Sequence, residues 1–238
     1  MTNTTNGMLP PFLDHVIDFP DASYGLLEPI TELRSCHDGV PAESRILFTC
    51  RQTKPEGETE DAIMKIKVQI PGGDRRPSND PQPGPSTTTA EELKVLKVFA
   101  DAQASSVPRL LASKLSRQGP SGPLPDGYIT YTVMTKMPGQ PVFNQKYWEK
   151  SDAERTEIGE KFLHALRSVY ALGIEPADCG LRNVMWDAET KTCSIIDFEI
   201  WRATDQSIGD ETKELQRWGL ARRPPSKDWW AEWNTQGR

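Results

Sequence analysis

The chain has 238 residues and a mass of 26.7 kDa, which is enough for one sizeable core or two small lobes. Its 36% hydrophobic and 26% charged residues exclude fibrous and membrane-spanning classes. A formal net charge of −6 gives no global attraction to nucleic acid or to anionic lipid. Four widely spaced cysteines without a CxxC pair argue against a zinc site or a disulfide framework. We therefore expect a cytoplasmic protein with no membrane partner.

Three stretches of the first half lack regular patterning. Residues 1–34 predict an irregular arm, with one short helix near residues 13–17. Residues 71–86 are rich in proline and glycine and nearly devoid of apolar side chains, which predicts a disordered loop. A second polar loop is expected before residue 128.

Strand patterning dominates the rest of the first half. Residues 45–50 and 62–70 flank turn residues and predict an antiparallel hairpin, and residues 128–134 predict a further strand. In the second hairpin strand, alternation places Lys65 and Lys67 on the face opposite the apolar one.

Helical patterning appears once in the first half and dominates the second. Thr89 to Glu92 form a capping-box pattern, which predicts the start of a helix. Residues 152–172 show the strongest helical periodicity of the chain, and a short hairpin is expected over residues 184–197. Asp210 begins a further short helix.

Four sequence features follow one another in one order along the chain. They are a strand lysine, a glutamate on the next helix, an Asp-x4-Asn motif and an Asp-Phe-Glu motif: Lys65, Glu92, Asp178, Asn183, Asp197 and Glu199. This order resembles the protein kinase-like superfamily, particularly its fungal and aminoglycoside-phosphotransferase-like branch. The segment TKMPGQP at 135–141 is similar to the segment that joins the two lobes in that branch.

The resemblance implies an α+β, two-lobed protein kinase-like fold with an N-terminal antiparallel sheet, one helix and a truncated helical C-terminal lobe. After the arm at 1–34, residues 35–140 would form the N-lobe. Residues 141–238 would form a reduced C-lobe with a catalytic-loop-like segment at 174–199.

The resemblance also implies binding of ATP and Mg²⁺. Lys65 would balance phosphate charge with Glu92 as its partner, Asp178 would position a hydroxyl, and Asn183 and Asp197 would hold the metal. Each residue type also has a purely structural interpretation. Lys65 would then be a solvated strand lysine, and the acidic and amide side chains would cap helices, turns or strand ends. Lys67 is an alternative to Lys65 for the functional lysine.

Three departures weaken the phosphotransferase interpretation. The kinase-like catalytic loop has a histidine two residues before its aspartate, whereas this chain has Pro176 there. The segment before the first hairpin strand has one glycine, Gly39, where a loop over nucleotide phosphates uses several. The chain after Glu199 is short for a full helical substrate-binding subdomain.

The C-terminal part adds an acidic motif over Asp210, Glu211 and Glu214. This motif is similar to the DDxxE pattern of the fungal arginine-containing cyclodipeptide synthases, with Glu211 as a departure. That resemblance implies condensation of two aminoacyl groups delivered by tRNA, one of them arginyl, without a cofactor. The alternative interpretation is a solvated helix face with Asp210 as the N-cap.

Basic and aromatic residues interleave in the same region and predict contact with an RNA end by charge and stacking, unless the tryptophans are core residues. They are Lys213, Arg217, Trp218, Arg222, Arg223, Lys227, Trp229, Trp230 and Trp233.

Three functions are therefore expected, with the first favoured: a transferase that makes an arginine-containing cyclic dipeptide in secondary metabolism, a small-molecule phosphotransferase, or a pseudokinase-like binding module. The partner would be arginyl-tRNA in the first case and a small-molecule substrate in the others. The expected catalytic residues are Asp178, Asp210, Glu211 and Glu214. The expected substrate or nucleotide contacts are Lys65, Glu92, Asn183 and Glu199, and the metal ligands, for a phosphotransferase only, are Asn183 and Asp197.

Overall fold

The computed structural model describes residues 10–36, 41–56, 60–72 and 79–222. In these ranges the chain is mixed α+β, with twelve strands and three α-helices. None of those helices combines the length and the apolarity needed to cross a membrane.

The chain divides into two compact units. Unit 1 consists of residues 1–100 and 109–136, and unit 2 consists of residues 101–108 and 137–238.

Unit 1 is built on one antiparallel sheet with seven described strands. They are β1 (Val16–Asp18), β2 (Ser23–Pro29), β3 (Arg34–Cys36), β4 (Glu43–Lys54), β5 (Ala62–Gln69), β6 (Leu110–Arg117) and β7 (Tyr128–Thr135). The strand order is β1-β2-β4-β5-β7-β6, and β3 also pairs with β4. One helix, α1 (Thr87–Asp101), follows β5.

The predicted hairpin is confirmed as β4 and β5, which pair with Ile46 opposite Ile66. The predicted third strand is confirmed as β7, which lies on the other side of β5 with Thr132 opposite Lys65. Apolar side chains of these strands form the unit's core, because alternation points Phe48, Met64 and their neighbours to one face.

Two predictions for unpatterned stretches are wrong. Residues near 13–17 do not form a helix, and the predicted irregular arm contains β1 and β2, paired antiparallel. The expected polar loop before residue 128 contains β6, whose residues alternate between half-buried and exposed. Both β1 and β6 lie at an edge of the sheet, where one neighbour suffices and little apolar patterning is needed.

The predicted capping box is also misplaced. Helix α1 begins at Thr87, and the Ser86 hydroxyl accepts the backbone N–H of Thr89 at 3.3 Å. Thr89 therefore lies inside the first turn, and Glu92 lies beyond the reach of a cap. The loop before α1 is predicted to be disordered, but its residues 79–86 make defined contacts. The Gln69 side chain donates to the Asp80 carbonyl and accepts the backbone N–H of Gln82. Residues 73–78 lie outside the described part of the chain.

Unit 2 carries two helices and two small sheets. Its helices are α2 (Asp152–Tyr170) and α3 (Glu211–Arg217). Its strands are β8 (Gln140–Pro141), β9 (Ile174–Pro176), β10 (Val184–Asp187), β11 (Thr192–Ile195) and β12 (Trp201–Ala203). The sheets have the orders β11-β10-β8 and β12-β9. Short 3₁₀ turns cover Tyr147–Glu149 and Leu181–Asn183.

The long helix and the second hairpin are confirmed as α2 and the antiparallel pair β10–β11. A capping box between Ser151 and Glu154 starts α2, and Gly173 with φ +77° follows its end. Gly139 has a stricter role before β8. It has φ +80°, and a Cβ there would lie 2.2 Å from the carbonyl oxygen of Trp186.

Candidate functional site

Lys65 of β5 and Glu92 of α1 form a buried ion pair in unit 1. The Lys65 Nζ lies 2.5 Å from the Glu92 Oε1. Their side chains are 7% and 4% exposed. Taking two charges out of water is costly, so such a pair persists only with good geometry and matched charge. The interpretation of Lys65 as a solvated strand lysine is therefore wrong, and so is that of Glu92 as a capping-box residue.

Lys67, the rival lysine, is also buried but has different surroundings. Its Nζ lies 4.0 Å from Oε2 of Glu43 on the neighbouring strand β4. Glu43 in turn accepts hydrogen bonds from the Tyr128 hydroxyl at 2.6 Å and from the Ser86 hydroxyl at 2.8 Å. Lys67 thus belongs to a network that joins β4, β7 and the start of α1, whereas Lys65 makes the strand-to-helix pair.

Sequence reasoning missed Glu43 as the centre of this network. The β-face that was expected to point away from the core instead carries a buried polar row on β5, formed by Lys65, Lys67 and Gln69. The period-2 pattern gave the correct face for each side chain, but burial of that face depends on what covers it.

In unit 2, Asp178 and Asn183 contact each other across the loop that follows β9. The Asn183 side-chain N–H donates to the Asp178 backbone carbonyl at 2.8 Å and to its carboxylate at 3.2 Å. Asn183 is 4% exposed, whereas the Asp178 side chain is 34% exposed. The Asp178 carboxylate also pairs with Arg182, which sequence reasoning missed although it lies four residues away. The turn-cap interpretation thus holds for the Asn183 amide, which fixes a partly accessible carboxylate.

Asp197 and Glu199 lie on the segment next to this loop. The backbone N–H of Ile196 donates to the Asn183 carbonyl at 2.9 Å, and Ala177 N–H donates to the Ile200 carbonyl at 3.0 Å. Two backbone hydrogen bonds therefore join the segment that carries Asp197 and Glu199 to the Asp178 loop, one just before Asp197 and one just after Glu199.

Asp197 adopts φ +67°, in the left-handed region that few residues other than glycine occupy. Asp and Asn tolerate it best, and such conformations concentrate at functional sites. The purely structural interpretation of Asp197 as a strand-end carboxylate does not explain this backbone conformation.

The three carboxylates at the start of α3 contact three different partners. Asp210 is the N-cap and accepts the backbone N–H of Lys213 at 3.1 Å. Glu211 forms an ion pair with Arg167 of α2 on the surface. Glu214 contacts Arg217 of its own helix at 3.3 Å. The alternative interpretation of Asp210 as an N-cap is thus confirmed.

Glu214 belongs to a largely buried cluster around Arg217 that sequence reasoning did not identify. Arg217 contacts the Glu175 carboxylate at 3.1 Å and donates to the Pro176 carbonyl at 2.6 Å. Burial raises the pKa of Glu214, and the neighbouring Arg217 opposes that rise. The spacing of Glu214 and Arg217 is visible in the sequence, but Glu175 lies on a different element, far from Arg217 along the chain.

Of the four described members of the predicted basic and aromatic RNA contact, Lys213 and Arg222 are exposed, whereas Trp218 and Arg217 are largely buried. Trp218 is 1% exposed and packs on Phe162 with ring centroids 5.1 Å apart, as a core residue does. Arg217 is held by carboxylates. The remaining predicted members beyond Arg222 lie outside the described residues: Arg223, Lys227, Trp229, Trp230 and Trp233. Gly39 lies outside them as well.

The chain matches no protein-family model, and a search of curated proteins finds no significant relative. The two candidate sets, Lys65 with Glu92 in unit 1 and the Asp178 loop with Asp197 in unit 2, therefore have to be interpreted from their own geometry.

Proposed function

We propose that the chain is an ATP- and Mg²⁺-dependent small-molecule phosphotransferase with a two-lobed, protein kinase-like fold. The observation that carries this function is the buried Lys65–Glu92 ion pair at 2.5 Å. A lysine held by a helix glutamate is a fixed cation, which suits the charge of nucleotide phosphates. The sequence resemblance implies the same pairing.

The Asp178 loop supports the same function from unit 2. Asp178 is partly accessible and held by Asn183, so its carboxylate is oriented in advance to accept the proton of a substrate hydroxyl. Such a base accelerates a reaction by about 10²–10⁴-fold.

The donor set of unit 2 fits a magnesium ion. Mg²⁺ prefers oxygen ligands, and Asn183 and Asp197 offer an amide and a carboxylate oxygen on two segments joined by a backbone hydrogen bond. When bound, the ion would neutralise charge on the phosphates. Asp197 adopts a left-handed backbone conformation, with φ +67°.

The test is binding and turnover with the purified full chain. Mg-ATP at about 100 times its Kd should stabilise the protein by about 2.7 kcal/mol, which corresponds to a rise in melting temperature of roughly 5–11 °C. Lys65→Met should abolish this shift. The control Lys94→Met alters an exposed lysine of α1, 63% exposed, and should retain it.

Turnover is then measured as ATP consumption with a panel of small aminated and hydroxylated acceptors. Loss of turnover in Asp178→Asn, with the thermal shift retained, supports a phosphotransferase. A thermal shift without turnover on any acceptor points instead to a pseudokinase-like binding module. Absence of both contradicts the proposed function.

A second candidate function is synthesis of an arginine-containing cyclic dipeptide, and it is favoured by Glu214, a largely buried carboxylate 3.3 Å from Arg217 whose pKa burial raises. A carboxylate with a raised pKa suits a general base that takes a proton from an attacking amine. That amine would attack the carbonyl of the other aminoacyl ester, and the tRNA hydroxyl would leave. A second attack would close the ring and release the second tRNA.

Feeding isotope-labelled arginine to a microbial host that expresses the chain tests this candidate by mass spectrometry. A labelled cyclic dipeptide that disappears with Asp210→Ala or Glu214→Ala supports the synthase. A labelled product that persists in both variants assigns no role to the acidic motif, and no labelled product contradicts the synthase.

A further inference from the structure

The loop that carries Asp178 lacks the histidine that a kinase-like catalytic loop has two residues before its aspartate. Pro176 occupies that position and is buried. Proline has no N–H and no polar side chain, so only its carbonyl is left to fix the loop through a hydrogen bond. That carbonyl accepts from Arg217, on α3, at 2.6 Å.

Arg217 makes three kinds of contact at once. Besides the Pro176 carbonyl, its guanidinium lies 3.1 Å from the Glu175 carboxylate and 3.3 Å from the Glu214 carboxylate. The three side chains are only 17%, 26% and 16% exposed. Charge-assisted hydrogen bonds shielded from water are stronger and more directional than those of surface pairs. We call Glu175, Pro176, Glu214 and Arg217 the Arg217 clamp.

The helix that supplies Arg217 is itself held in place. Trp218, the next residue, is 1% exposed and packs on Phe162 of α2. Just beyond α3, the Leu220 carbonyl accepts the hydroxyl of Tyr147 at 2.7 Å. The backbone that carries Arg217 is therefore held in place, and the guanidinium reaches from it to the loop, as a positioning group requires.

We propose that Arg217 is the positioning residue of Asp178, because it fixes the chain at Glu175 and Pro176, just before the loop that carries Asp178. This role rests on the proposed function, because Asp178 is the base only in a phosphotransferase. A shift of about 1 Å in a reacting group can cost about 10²-fold in rate.

The decisive variants are Arg217→Met, which keeps the aliphatic length, and Arg217→Lys, which keeps the charge without the planar fork. We expect Arg217→Met to lower kcat by about 10²-fold with the KM for ATP within about twofold. Arg217→Lys should recover part of that loss. The matched control is Arg51→Met, which breaks an exposed ion pair with Asp61 in unit 1 and should keep wild-type kinetics.

Hydrogen exchange measures the clamp independently of activity. Amides of residues 177–183 should exchange at least tenfold faster in Arg217→Met, while those of β4 and β5 remain unchanged. Where Arg217→Met fails to fold, Glu175→Gln removes one charged contact and is judged by the same loop amides. Unchanged loop exchange together with a kcat within twofold of wild type overturns the role of Arg217.

Failure of the proposed function is distinguishable from failure of the clamp. A wild-type chain without phosphotransfer removes the function but leaves the exchange measurement intact. Faster exchange confined to 177–183 then still supports the clamp, and unchanged exchange overturns it.

Discussion

Two acidic groups of unit 2 differ in what their carboxylates contact. Asp178 is held by a neutral amide and one exposed arginine, and its carboxylate remains 34% exposed. Asp210, the N-cap just before α3, accepts a hydrogen bond from the backbone N–H of Lys213. Both belong to motifs that the sequence offers as catalytic. Both oxygens of Asp178 accept hydrogen bonds from side chains that orient the carboxylate, whereas one oxygen of Asp210 caps the helix.

The difference shows that an acidic motif near a helix start can serve to cap that helix. Asp is among the best N-cap residues, and acidic residues in the first helical turn are favoured by the helix dipole. Asp210 and Glu211 fit that description fully. Asp178 instead lies in a loop, where the Arg182 guanidinium and the Asn183 amide contact its carboxylate.

The largest expected effect is the difference in phosphotransfer rate when Asp178 and Asp210 are each replaced by Asn. Asp178→Asn should lower phosphotransfer by about 10²–10⁴-fold because an amide cannot accept the substrate proton. Asp210→Asn should stay within about twofold, since Asn caps a helix as well as Asp does. Steady-state kinetics of both variants measures this. The reverse outcome would assign the chemistry to α3.

The next effect extends the comparison to a buried carboxylate in unit 1. Lys65→Met should destabilise the protein by about 3–5 kcal/mol, because it leaves the Glu92 charge buried without its partner. The exposed pair of Lys191 and Glu157 gives the control, and Lys191→Met should cost at most about 1 kcal/mol. Urea unfolding followed by circular dichroism measures both. Equal losses in the two variants would contradict the buried pairing.

A smaller effect tests the cap itself. Asp210→Ala should cost about 1 kcal/mol of stability, because the backbone N–H of Lys213 loses its acceptor. The same variant should keep its phosphotransfer rate. Thermal unfolding and kinetics of one preparation give both numbers. An Asp210→Ala protein of wild-type stability but without turnover would show that Asp210 acts in catalysis.

The smallest effect concerns the pH dependence from Glu214. Burial raises its pKa above the ordinary value of 4.5, so the native state keeps this proton at a pH where the unfolded chain has lost it. Stability from this group is therefore present at low pH and declines as pH rises from 4.5 through the native pKa.

Glu214→Gln removes that titration. The stability of the variant relative to wild type should therefore increase between about pH 4 and pH 7. Urea titrations across this range measure the difference. If the unfolding free energies of the two proteins changed in parallel with pH, the pKa of Glu214 would be the same in the folded and unfolded states.

The sequence alone determined the elements with strong periodicity. The hairpin β4–β5, strand β7, helix α2 and the hairpin β10–β11 follow from alternation or helical spacing. These patterns reflect burial of one face of a single segment, which is a local property. The motif order likewise singled out Lys65, Glu92 and Asp178 without any contact information.

The tertiary structure decided everything that depends on a distant partner. It showed that Lys65 is buried against Glu92, because side-chain alternation gives a face but not its covering. It showed that edge strands β1 and β6 form from weakly patterned residues, since pairing with one neighbour supplies their order. It also brought Arg217 to Pro176, a contact between residues far apart in the chain that no local pattern encodes.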